Sequence, residues 1–200
     1  MTGCDEELDA SAGRERGTLI AVLAINAVMF VIELLTGVLA ESTALIADSL
    51  DMLADATVYA ISLYAVGRGS QLKRRAARLS GVLQVTLAGL VLLDVLRRFL
   101  LGSEPTSGLM AGMGIVALVA NVACLLLVAR QRHAGIHMRA SLIFSANDVI
   151  ANLGVIVSAG LVWLLDSRYP DLVVGLVIAM VVCRGGIQIL IEAGESHTGR

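Results

Sequence analysis

The sequence predicts an all-α polytopic membrane protein, a bundle of six transmembrane helices with both termini in the cytoplasm. Composition is the first observation behind this. Of 200 residues, 57% are hydrophobic and only 16% charged, with a mean hydropathy of +0.83, whereas a soluble domain needs a charged surface to stay dissolved. The second is the division of the chain into six apolar runs, each close to or above the roughly 20 residues that cross a bilayer. The third is where the charge sits: most of it falls outside the runs, in the two tails and the short connections.

The runs are Thr18–Leu39, Thr43–Val66, Leu79–Phe99, Leu109–Ala129, Ala140–Leu165 and Leu172–Ile191. Ala40–Ser42 is so short a link that the first two helices must form a tight antiparallel hairpin. Pro105 and Pro170 are expected in connections, where a missing N–H costs nothing. Residues 1–17 read as an acidic cytoplasmic tail, 18–193 as the membrane domain and 194–200 as a short cytoplasmic tail. The acidic start is the reverse of a signal peptide, so no cleaved leader is expected.

Orientation follows from the basic residues. Arg68, Lys73, Arg74, Arg75, Arg78, Arg130, Arg132 and Arg139 follow the second and fourth runs, while the other side offers Arg97, Arg98 and Arg168. That bias, with Arg14 and Arg16 on the tail, places both termini inside. Cys4, Cys124 and Cys183 form no CxxC pair or framework, and the last two read as small core residues.

Chemistry concentrates in the second run. ALIADSLDMLADATVYA, residues 44–60, carries Asp48, Asp51 and Asp55 among apolar neighbours. Residues four apart share a helix face, so Asp51 and Asp55 point together and Asp48 borders their stripe. A mid-membrane carboxylate is costly enough that it is rarely without a partner or a task. Asp148 in the fifth run reaches the same level: counted at 1.5 Å per residue, it and Asp55 each lie about 12 Å from the inner face of a ~30 Å core. Acids converging there repel unless a proton or a cation neutralises them.

Other charged residues in the spans have simpler readings. Asp94 has Arg97 and Arg98 at i+3 and i+4, which is sufficient for a local ion pair. Arg184 sits near the inner end of the sixth run and is expected to snorkel to Glu192 or lipid phosphate. Asn26 and Glu33 share a face of the first helix, with Glu33 either paired to a polar neighbour or relaying ions; Asn121 lies mid-span in the fourth.

The segments NAVMFVIELLTGVLAESTALIADSLDMLADA (Asn26–Ala56) and FSANDVIANLGVIVSAG (Phe144–Gly160) resemble the cation diffusion facilitator family of divalent-metal transporters. The resemblance covers nearly all of the chain from Thr18 and is specific around Ser42–Asp55. It implies a tetrahedral metal site formed by a His/Asp-x-x-x-Asp pair on each of the second and fifth helices. By position these are Asp51 with Asp55, and Asp148 with position 144, where Phe144 cannot ligate. Ser145 and Asn152 offer neutral oxygens on the Asp148 face, and Asn147, about a hundred degrees round the helix, is a weaker candidate. Asp48 is a further possible ligand.

Two further departures stand beside Phe144. The family's usual cytoplasmic C-terminal domain is missing from this sequence, and its histidine-rich loop is reduced to His133 and His137, read as part of a solvated basic loop. Cys4 with its acidic neighbours is read as a disordered tail. The resemblance implies a secondary transporter exporting a divalent transition metal (zinc, cobalt, cadmium, iron or manganese) in exchange for protons. A metal-sensing or accessory membrane protein with a degenerate site is the alternative. No enzyme is expected: neither Ser49 nor Ser145 beside an Asp makes a triad, no general-base histidine lies in a span, and no nucleotide-binding loop appears. No cofactor and no nucleic-acid partner are expected; the expected partners are the metal, protons and the lipid bilayer of a bacterial inner membrane. Gly108, Ala111, Gly112 and Gly114 suit a homodimer face or packing within one chain, and the sequence leaves both open.

Overall fold

The element that organises the molecule is a helix with almost no lipid-facing surface. A computed structural model describes residues 2–65, 70–130 and 136–195 as six helices: α1 Thr2–Leu39, α2 Thr43–Ala65, α3 Ser70–Leu101, α4 Ser107–Arg130, α5 Ile136–Leu165 and α6 Tyr169–Glu195. No strand occurs among the described residues. Helix α2 touches each of the other five, and no residue from Thr43 to Tyr59 is exposed. The other spans turn apolar side chains outward, such as Val31 and Leu35 on α1, Leu93 on α3 and Val157 on α5. A bilayer accepts those residues; it would not accept the aspartates of α2, which the surrounding helices shield from lipid.

Hydropathy alone accordingly finds five of the six. Stretches within α1, α3, α4, α5 and α6 are long and apolar enough to cross a membrane. In α2 the three aspartates interrupt the apolar run, and its place inside the bundle supplies what its composition lacks.

Lipid tails are as apolar as the helices, so close contact and hydrogen bonds hold such a bundle together. Glycines supply the contact. A Cβ on Gly81 of α3 would lie 2.9 Å from the carbonyl oxygen of Gly186 on α6, and one on Gly175 of α6 would lie 2.8 Å from the carbonyl carbon of Thr43. The α1–α2 hairpin turns on Glu41, at φ +49°. The amide of Ser42 donates to the Gly37 carbonyl at 2.9 Å and that of Glu41 to the Val38 carbonyl at 3.2 Å. This is the Schellman closure of a helix end, here with a glutamate in the left-handed position usually given to glycine.

Three sequence expectations change. Helix α1 starts at Thr2, so the acidic segment around Cys4, expected to be disordered, is helical; Ala and Glu favour the helix there. Pro170 lies inside α6, at its second residue. A first-turn N–H has no intrahelical partner, so proline is tolerated there as it would be in a connection. Helix α3 begins nine residues before its apolar run, since basic residues extend a helix readily into the interfacial region. Arg68, Arg132, His133 and residues 196–200 lie outside the described residues, while His137 falls in the first turn of α5.

Candidate metal centre

Between α2, α3, α5 and α6 lies a cavity of about 330 Å³, and Asp51, Asp55 and Asp148 all line it. Helical spacing puts the first two on one face of α2, and the face α5 turns toward α2 adds the third. The Asp55 carboxyl meets that of Asp148, with Asp51 and then Asp48 within electrostatic range of the same group. Gln84 from α3, Asn147 from α5, and Arg184 and Gln188 from α6 complete the polar part of the wall; Val58, Val181 and Val182 contribute apolar surface.

The three acids surround a space; they do not yet form a closed ligand set. Among the described residues, no three His, Cys, Asp or Glu side chains stand together as a ready-made metal site. The buried carboxylate oxygen Oδ2 of Asp55 has no hydrogen-bond partner among the described residues. Phe144 occupies α5 one turn before Asp148, so the backbone puts a non-ligating residue where the resemblance asks for a fourth donor.

The secondary candidates divide. Asn152 is fully buried and its Nδ2 donates to the Asp148 carbonyl at 2.8 Å, a bond within α5. Ser145 is buried with its Oγ unpartnered. Neither is among the residues lining the cavity, whereas Asn147, the weaker candidate by sequence, is. The reason is the rotation of α5: its Asn147–Asp148 edge faces the cavity, and the Ser145–Asn152 edge packs inward. Asp48 lies farther out along α2, 1% exposed, with its carboxyl meeting that of the fully buried Glu33 on α1. Glu33 thus has the polar neighbour that one reading of the sequence expected.

Between α1 and α4, Asn26 Nδ2 lies 3.9 Å from the Cys124 sulfur. The Cys124 thiol is itself within electrostatic range of Asp148 and Asp55. The lateral surface of the cavity adjoins an apolar groove between α5 and α6, where Asp51 and Asn147 meet Ile150, Gly154 and Val177. Sequence reasoning missed Gln84 and Gln188. Their signal was present, since an amide in an apolar span is as conspicuous as a charge.

A bundle of membrane-crossing helices around an acid-lined cavity defines a multi-pass integral membrane protein. The chain matches the cation efflux transmembrane domain over residues 19–196 and belongs to that family. It is also 27% identical over 190 residues to a protein described as the zinc transporter ZitB of Pectobacterium atrosepticum, a match covering 88% of this chain and 59% of that relative. The chain therefore spans somewhat over half the length of the curated relative it matches.

Proposed function

We propose that this protein is a secondary transporter that exports a divalent transition-metal ion from the cytoplasm in exchange for protons. One observation carries the reading: Asp51, Asp55 and Asp148, from two helices, line one cavity inside a membrane bundle. The relative's description as a zinc transporter supports zinc as cargo. An oxygen-rich ligand set without imidazole is harder than a typical zinc site, which keeps manganese, iron, cobalt and cadmium in the field.

The chemistry follows from the carboxylates. Each must be ionised to ligate, so metal and protons compete for the same oxygens. Exposing the cavity alternately to the two sides then exchanges one for the other without ATP. Both termini face the cytoplasm in this reading, as the basic residues require. Ions would enter past the α6 wall and meet Asp51, Asp55 and Asp148, with the Asn147 amide as a neutral oxygen donor.

The open ligand set and Phe144 favour a second reading, in which the protein senses metal or assists another transporter without turnover. Purified protein in liposomes separates the two. Under an imposed pH gradient the parent should take up zinc or manganese, and Asp51→Ala and Asp148→Ala should each lower the flux at least tenfold. Equal flux in parent and variants rules out the transport mechanism drawn here. Metal binding without gradient-driven uptake would establish the sensing role.

A further inference from the structure

The α1–α2 hairpin encloses two acids that the cavity does not use. Glu33 on α1 and Asp48 on α2 are 0% and 1% exposed, their carboxyls meet, and neither lines the cavity. Both carboxylate oxygens of Glu33 and Oδ2 of Asp48 lack a hydrogen-bond partner among the described residues. Nor does a basic side chain pair with them: both ion pairs among those residues belong to Asp94, with Arg97 and Arg98. Met29, one turn from Glu33, and Ala47 and Leu50, close to Asp48 along α2, belong to the apolar core. Carboxyl oxygens that face one another in such surroundings, with no donor between them, call for a bound cation or a shared proton.

The level of the pair gives it a place on a path. Counted at 1.5 Å per residue from the α1–α2 turn, Glu33 and Asp48 lie about 9 and 8 Å deep, and Asp55 about 18 Å. Asp51, between these levels, is within electrostatic range of Glu33. In the orientation that the basic residues require, the turn is on the outer side. The pair therefore stands between the cavity and the exit.

We propose that Glu33 and Asp48 form a second divalent-cation site, the next station for an ion that leaves Asp51, Asp55 and Asp148 outward. The inference rests on the transport reading above. Oxygen donors without imidazole or thiol suit a hard divalent ion such as manganese(II). A bare charge cannot cross apolar core cheaply, so a pair of carboxylates one step along α2 spares the ion that crossing. Neighbouring sites also keep a tightly held ion moving, because arrival at one favours departure from the other.

The experiment uses the full chain, purified in detergent, with manganese(II) as the probe and dialysis carried to equilibrium because both carboxyls are buried. The parent should bind a second ion per chain beyond the one held in the cavity. Asp48 and Asp55 lie about 10 Å apart along α2, so the two ions should broaden each other's electron paramagnetic resonance. Glu33→Gln should lose one ion and the broadening, and the double variant Asp51→Ala with Asp55→Ala should keep one ion at the Glu33–Asp48 pair. The glutamine amide supplies a donor to Asp48, so this variant should fold at least as well as the parent. In liposomes, removing one ligand from an ion inside the membrane should slow maximal manganese uptake roughly tenfold.

A parent that binds a single ion overturns the proposal and leaves the pair a proton-sharing contact of the core. So does a Glu33→Gln variant that keeps both ions, or a second ion that causes no broadening. If Glu33→Gln does not fold, Asp48→Asn removes the other ligand of the pair and should show the same loss. Unchanged maximal uptake in Glu33→Gln overturns the exit role. Failure of the parent to take up metal under a pH gradient would count against the transport reading alone, since the number of ions bound at equilibrium still decides whether the pair is a site.

Discussion

Asp171 caps a helix to which it does not belong: its Oδ2 accepts the amide hydrogen of Thr43, the first residue of α2, at 2.7 Å. Its Oδ1 accepts from the Ala44 amide at 3.0 Å and from the Ser42 hydroxyl at 2.5 Å. A helix N-terminus leaves backbone donors without partners and carries partial positive charge, so a carboxylate there is doubly favoured. Arg98, also buried, lies within electrostatic range of Asp171. It pairs with Asp94 at 2.5 Å and donates to the Glu41 carbonyl. Helices α2, α3 and α6 and the α1–α2 turn are tied together through these few atoms at one end of the bundle.

Asp171→Ala should therefore be among the most destabilising single changes in the protein. It orphans two buried amides and a hydroxyl and removes the countercharge near Arg98, a loss of about 2–4 kcal/mol. Asp171→Asn keeps an acceptor and should cost about half as much. Thermal unfolding in detergent measures both. Equal midpoints for the parent and the alanine variant would mean that the cap contributes nothing.

A contrast between two glycines tests the packing. At Gly175 an added methyl would press on Thr43, with Cγ2 also at 2.8 Å, whereas at Gly112 nothing lies within 4 Å. Gly175→Ala should cost about 1–3 kcal/mol by overpacking. Gly112→Ala should be neutral or slightly stabilising, because alanine is the better helix former. The same unfolding assay should order the two variants clearly.

Position 144 and pH together probe the metal centre. Phe144→His supplies an imidazole one turn before Asp148 and should tighten zinc binding at least tenfold while changing manganese far less. In the parent, acidification should weaken binding of every metal, since protons occupy the ligating carboxylates, and binding should recover as pH rises. Calorimetric titration of the purified protein with each metal at several pH values reads both effects. Pairwise equality of zinc affinities for Phe144→His and the parent would remove Phe144 from the site.

Much of this architecture is legible along the chain because its signals are local. The hairpin at Ala40–Ser42, the Asp94 pairs with Arg97 at 3.0 Å and Arg98 at 2.5 Å, and the shared face of Asp51 and Asp55 all depend on residues within a turn or two. The common level of Asp55 and Asp148 follows from counting rise per residue. The side of a helix that meets its neighbours cannot be counted in that way. Rotation of α5 brings Asn147 to the cavity in place of Ser145 and Asn152. Packing of α6 on α2 makes Asp171 a cap, although by sequence it is only an acid near a helix start.

Helix α2 meets α5 along a shorter seam than it shares with α1, α3 or α6, and that seam runs between Asp55 and Asp148. A shift of α5 together with α4, its main packing partner, against α2 would therefore part the donors without unpacking the α4–α5 or α1–α2 pairs. One of the smaller joins in the bundle coincides with the place where cargo would be gripped, so grip and release can be governed by one sliding contact.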